Sequence, residues 1–306
     1  MPGTDAVAGV DLSRLLAALM TPYDTSGAVA YDKLSALVRA YVAKGVEGLF
    51  VCGTGGESLL LSLEEREKIL DVVISSVEDA VPVVAHIGAL NTADSVKLAQ
   101  HAQNAGAQAV SAIPPVYFAY QRGEIVRHYT AIMDSCDLPM VLYNIPSLTG
   151  IEFSADWSEL FDDSRVVAVK HTSTNLSVLT QCHAAYPDKT YLSGLDDLFL
   201  PAMLCGASGA IGVTVGPCLE LFQAVRRNMV NGDTASAERA QALLTDVINT
   251  LSQINLYPAA KYLAERDMPS LGGCRPPFRS LTDQERNTLD QLNLKLDGWL
   301  SEVADA

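Results

Sequence analysis

The chain has 306 residues, 49% hydrophobic and 19% charged, without a low-complexity segment, so it can bury a large core and reads as a soluble globular protein. Acidic residues outnumber basic ones 36 to 21, for a formal net charge of −15. Lys and Arg form no cluster interleaved with aromatics, which makes nucleic acid and anionic membrane surfaces poor partners.

The charge does not exclude a small anionic substrate, because hydrogen-bond donors in one pocket override the global field. The first thirty residues hold only the apolar patch from Leu15 to Met20, behind Asp11 and Arg14, and lack the basic stretch of a signal peptide. No apolar run approaches the roughly 18 residues of a membrane span, and a cytoplasmic protein is expected. The cysteines at 52, 136, 182, 205, 218 and 274 form no CxxC pair and have no His at metal-ligand spacing. They read as small core hydrophobes rather than bridges or ligands, and no metal is expected.

In chain order, short runs rich in β-branched residues predict strands near 15–21, 47–52, 81–87, 108–113, 139–144, 165–171, 189–194 and 208–214. Helical periodicity fills the gaps. Over 31–44 it puts Leu34, Leu37, Val38, Tyr41 and Val42 on one face, and Gly45 stops the helix. Ser62 and Glu65 make a capping box for the second helix, and Thr92 with Ser95 marks the start of a third that runs to Gly106.

Eight strand-helix units in succession describe an α/β fold, a (β/α)8 TIM barrel, better than an open sheet. The barrel is expected over about 12–231. A helical C-terminal extension follows over about 232–306, within the same single domain. After the eighth strand, helices are predicted at 217–231, 234–252, 256–266 and 283–303, with Pro269, Gly272, Gly273, Pro276 and Pro277 breaking the last two, and the extension is expected to pack on the barrel or at a subunit contact.

In such a barrel, active sites collect at the C-terminal strand ends. Lys170 ends the apolar run from Arg165 to Val169, just before the polar stretch His171-Thr-Ser-Thr-Asn175. It is either a lysine that reaches solvent or an amine that attacks a carbonyl to form an imine. Gly53-Thr-Gly-Gly-Glu-Ser58 after the second strand is either a tight turn or a set of backbone donors for a carboxylate. It matches no nucleotide-binding glycine motif.

Tyr143 and Tyr117 are either buried phenols with ordinary partners or members of a hydroxyl relay centred on Thr54. Of Asp196 and Asp197, one is expected to cap the next helix while the other bonds substrate hydroxyls. His86 and His171 are expected in ordinary polar contacts.

Together, Gly53-Thr-Gly-Gly-Glu-Ser58, Tyr143-Asn-Ile-Pro-Ser-Leu-Thr-Gly150 and Val169-Lys-His-Thr-Ser173 resemble the N-acetylneuraminate lyase / dihydrodipicolinate synthase superfamily of class I pyruvate aldolases, from about residue 12 to the C-terminal helices. The resemblance implies a homotetrameric (β/α)8 barrel that acts on a small 2-oxo acid or sugar acid without cofactor. It implies that Lys170 forms the imine, that Tyr143 transfers the proton, and that Thr54 links Tyr143 to Tyr117 from a neighbouring subunit. Thr54 and Gly55 would receive the carboxylate, and Thr172, Gly194, Asp196 and Asp197 would contact the polyol.

Leu148 stands where the synthases carry an Arg for a second carboxylate, which disfavours that activity and resembles the lyase branch. Gly55 and Val213 replace hydroxyl residues, and Asp197 is one methylene shorter than the usual Glu. The expected function is therefore reversible cleavage of N-acetylneuraminate to pyruvate and N-acetylmannosamine. The alternatives are an aldolase or dehydratase for another 2-keto-3-deoxy sugar acid, a dihydrodipicolinate synthase, or a keto-acid-binding barrel without catalysis.

Overall fold

The computed structural model describes residues 10–304 except 267 and 269. Strands β1 (Leu15–Ala18), β2 (Gly48–Val51), β3 (Val83–His86), β4 (Ala109–Ala112), β5 (Met140–Asn144), β6 (Val166–His171), β7 (Thr190–Ser193) and β8 (Gly209–Gly212) pair in parallel, each with the next, and β8 returns to β1 to close the barrel. Most strands end a little before their expected limits. At the rim the chain already turns away, although Leu19 N–H still donates to the Phe50 carbonyl at 3.0 Å.

The apolar runs are continuous because both faces of each strand are buried. Leu16 and Ala18 pack inside the barrel with Phe50, Val84, Val141, Ala168, Leu192 and Ile211. Their neighbours Leu15 and Ala17 join the larger cluster between sheet and helices.

Helix α1 (Tyr31–Lys44) buries Leu34, Leu37, Val38 and Tyr41, with Val42 at the margin. Gly45 ends it at φ 93°, a left-handed conformation that suits glycine. Helix α2 (Leu63–Val77) opens on the expected capping box, with Glu65 N–H donating to Ser62 Oγ at 3.2 Å and Ser62 N–H to Glu65 Oε2 at 2.9 Å. Helix α3 (Thr92–Ala105) is capped one residue earlier than expected. Asn91 Oδ1 accepts from Asp94 N–H, while Ser95 turns inward to accept from Ala89 N–H.

After α4 (Arg122–Met133), the β5–β6 connection carries two short helices, α5 (Pro146–Thr149) and α6 (Ser158–Phe161), in place of one long helix. Pro146 starts α5 and Gly150 stops it at φ 70°. Helices α7 (Leu176–Ala185), α8 (Phe199–Leu204) and α9 (Leu219–Val230) complete the ring.

The extension comprises α10 (Thr234–Ile254), α11 (Leu256–Ala264) and α12 (Asp283–Ala304), with α10 packed along α9. Gly272, Gly273, Pro276 and Pro277 fall between α11 and α12 as expected, and Pro269 lies outside the described residues. Cys52, Cys136, Cys182 and Cys218 are buried thiols, whereas Cys205 and Cys274 are half-buried. No described helix is long and apolar enough to cross a membrane.

Candidate active site

Strand alternation and register bring the central pair together. Side chains two apart share a face, so Tyr143 follows Val141 into the barrel and Lys170 follows Ala168. Tyr143 is paired directly with Lys170 across β5 and β6. The Lys170 Nζ sits 4.0 Å from the Tyr143 ring centroid and 4.3 Å from that of Phe50.

Lys170 is only 4% exposed, which removes the reading of a lysine reaching solvent. Among the described residues nothing offers its Nζ a hydrogen bond or ion pair. The two rings attract the ammonium but offer no lone pair, so no protein acceptor competes for the amine when it approaches a carbonyl carbon.

Tyr143 is held edge-on by Phe50 and His86, with ring centroids 5.9 and 5.8 Å away. His86 Nδ1 lies 2.9 Å from the Cys52 carbonyl, which makes that nitrogen the donor. Burial, then Arg66 and Lys170, hold His86 well below the usual histidine range, so it stays neutral. His171 also makes an ordinary contact, Nδ1 to Asn144 Nδ2 at 3.1 Å, and burial lowers its pKa too.

The Tyr143 hydroxyl meets Thr54 Oγ1 at 3.2 Å, so one half of the expected relay is assembled within the chain. Tyr117 is not part of it. It is 91% exposed, sits at φ 83°, and packs edge-on against Phe118.

The turn after β2 closes on itself, with Gly56 and Ser58 N–H donating to the Gly53 carbonyl and Glu57 N–H to that of Thr54. The N–H groups of Thr54 and Gly55 have no acceptor among the described residues. The tight turn and the anion cradle are thus the same object. Gly53 is needed because a Cβ there would fall 2.4 Å from the Phe50 ring.

A cavity of about 240 Å3 opens above Lys170, and Thr54, Gly55, Tyr143, Leu148, Thr172, Gly194, Asp196, Asp197 and Val213 all line it. Asp196 caps no helix. Its Oδ2 accepts from Thr214 N–H and Oγ1, and its buried Oδ1 has no partner among the described residues. Burial is the chief influence and raises its pKa.

Thr172 Oγ1 is a second buried polar atom without a partner among the described residues. Gly194 makes room for it, since a Cβ there would lie 1.8 Å from that oxygen. Both oxygens are buried on residues that line the cavity, Asp196 Oδ1 against Gly212 and Thr172 Oγ1 against Gly194. Asp197 is half-buried, and its backbone carbonyl is tied to Gln241 of α10.

Gly55 and Val213, separate departures in the sequence, are one steric unit. A Cβ at position 55 would lie 2.5 Å from Val213 Cγ1. Gly55→Ser alone is therefore expected to cost about 1–3 kcal/mol in urea denaturation, as overpacked sites do. The double variant Gly55→Ser/Val213→Ala should recover most of that loss, and an equal loss in both would show that the valine is not the obstacle.

Ile248 of α10 with Leu256 and Tyr257 of α11, none of them expected at the site, form the roof of the cavity. Burial, then the nearby Tyr143, push the Tyr257 phenol up to about 12. No local signal marks these residues, because an ordinary helix face reads alike wherever it docks.

A closed parallel barrel with a buried amine and a phenol registered side by side at its C-terminal mouth defines a (β/α)8 barrel equipped for amine–carbonyl chemistry. Residues 11–295 match the Dihydrodipicolinate synthetase family, and the chain belongs to that family. It is 36% identical over 275 residues to the N-acetylneuraminate lyase of Enterobacter sp. (strain 638), covering 89% of this chain and 93% of that protein.

Two solved structures superpose closely. CdNal from Clostridium difficile in complex with mannosamine gives a TM-score of 0.91 at 28% identity, covering 94% of this chain and 100% of that one. Wild-type sialic acid aldolase of Ruminococcus gnavus gives 0.91 at 27% identity, covering 95% and 99%.

Proposed function

We infer that the protein is a carbon–carbon lyase, a Schiff-base aldolase that reversibly cleaves N-acetylneuraminate to pyruvate and N-acetylmannosamine. The observation that carries this reading is the buried Lys170 amine in register with Tyr143, 4.0 Å from its ring. The lyase and sialic acid aldolase relatives support the choice of substrate.

In the proposed mechanism, Lys170 Nζ adds to the C2 carbonyl carbon of the sugar acid, and water leaves to form the protonated imine. Tyr143, having given its own proton to the hydroxyl that leaves as that water, takes the proton from the C4 hydroxyl as the C3–C4 bond breaks. The electron pair moves to the imine nitrogen as an enamine, and the aldehyde of N-acetylmannosamine departs. Protonation at C3 and hydrolysis then release pyruvate and restore the amine.

Thr54 and Gly55 hold the carboxylate through their unbonded N–H groups, while Thr172 and Asp196 accept or donate to polyol hydroxyls. Asp197 and the backbone at Gly194 frame the same side. Tyr117 joins the relay only from a neighbouring subunit of a cytoplasmic homotetramer, a reading supported by its exposure beside Phe118.

A second substrate has one observation in its favour. Val213 presents a methyl to the cavity where a hydroxyl would suit a polyol, which favours a less hydroxylated 2-keto-3-deoxy sugar acid.

Turnover of N-acetylneuraminate, 2-keto-3-deoxygluconate, and pyruvate with aspartate semialdehyde separates these readings, with the first expected to be fastest. Fastest condensation with the semialdehyde would mean that Leu148 had been misjudged. A keto-acid-binding barrel without catalysis would turn over none.

A further inference from the structure

Three residues beyond Thr54, Glu57 carries a carboxylate that is 1% exposed and pairs with Lys261, also 1% exposed, at 2.9 Å. The partners are 204 residues apart in sequence. Lys261 lies on α11, one turn after Tyr257, so a single helix both roofs the cavity and reaches beneath the turn that borders it.

Every polar atom of the pair is engaged. Lys261 Nζ also donates to the Gly273 carbonyl at 2.9 Å and rests 4.2 Å from the Tyr23 ring centroid, while Glu57 Oε2 accepts from Arg275 N–H at 2.8 Å. Glu57 itself is at φ 62°, a left-handed conformation unfavourable for a residue with a side chain. The conformation is held because the carboxylate is fixed from the far side by the C-terminal segment. Thr21 Oγ1 adds a donor to the Gly56 carbonyl at 2.7 Å.

Buried ion pairs are poor sources of net stability, since desolvation offsets attraction, but they demand one geometry. We propose that Glu57 and Lys261 are positioning residues that couple the C-terminal helices to the catalytic turn. Through them, displacement of α11 moves Thr54 and Gly55, and a ligand on the turn orders α11 in return, as reciprocal coupling requires. The proposal rests on the reading above that this turn receives the keto-acid carboxylate.

Two measurements test it. In native-state hydrogen exchange on the unmodified enzyme, residues 53–60 and 256–264 should open as one unit with the same free energy and denaturant dependence. Independent opening would overturn the coupling, whether or not the protein is an aldolase.

In borohydride trapping with pyruvate, Lys261→Met and the uncharged double variant Glu57→Gln/Lys261→Met should raise the half-saturating pyruvate concentration about tenfold. The double variant should recover the thermal stability lost by the single one. A double variant that folds with native stability and traps pyruvate at the native concentration would refute a positioning role. Failure of the unmodified enzyme to form any adduct would count against the aldolase reading, leaving the exchange experiment to decide the pair.

Discussion

Lys170→Ala is expected to abolish the borohydride-reducible pyruvate adduct and to lower kcat/KM for sugar-acid cleavage by at least about 10⁴-fold, the scale of losing a covalent nucleophile. The reason is that no second amine can take over. Lys170 is the cavity's one lysine among the described lining residues, and the next buried lysine, Lys261, is committed to Glu57 and Gly273.

Lys170→Arg sharpens the test, since a guanidinium keeps a positive charge near the faces of Phe50 and Tyr143 but forms no imine. It should be as inactive as the alanine variant. Mass mapping after borohydride reduction of the unmodified protein should place a single adduct on Lys170. An adduct elsewhere, or none, would sink the assignment.

Tyr143→Phe is expected to leave the adduct in place while kcat falls by about 10²- to 10⁴-fold, the usual range for losing a positioned proton carrier. The substitution removes one hydroxyl and its 3.2 Å contact with Thr54, but keeps the ring that packs edge-on against Phe50 and His86. The wall beside Lys170 therefore survives. Trapping rates and steady-state turnover, measured side by side, separate the roles. Equal loss of both would mean that the phenol organises the pocket rather than moving the proton.

These expectations rest on different parts of the molecule, and the sequence made them unequally legible. The strand runs were readable because a parallel barrel buries both faces of every strand, so each appears as a short apolar stretch bounded by turns. Helix ends were readable where a side chain does the capping, as at Ser62, and where a glycine must take a left-handed conformation, as at Gly45.

Asn91 escaped because three neighbouring polar residues could each have capped α3, and only their orientation distinguishes them. The two short helices between β5 and β6 escaped for a similar reason. Pro146 and Gly150 bound a turn of helix too brief to leave a period.

At the site, Lys170 and Tyr143 could be named from their places at adjacent strand ends. Their burial, and the absence of a hydrogen-bond partner for the amine among the described residues, are properties of the assembled barrel. Asp196 shows the same limit. A pair of aspartates before a helix looks like a cap, yet Asp196 bends to the β8 loop and holds Thr214, leaving its other oxygen buried without a partner among the described residues.

The strand-helix succession of the barrel and the residue types at its strand ends are written in the local pattern, because periodicity and turn chemistry act over a few neighbours. That Gly55 and Val213 share one space, that Tyr257 roofs the cavity, and that Lys261 reaches Glu57 emerge in the folded chain alone. Those are contacts between segments far apart in the chain, where packing is set by shape and charge meeting in space and leaves no trace in the local pattern.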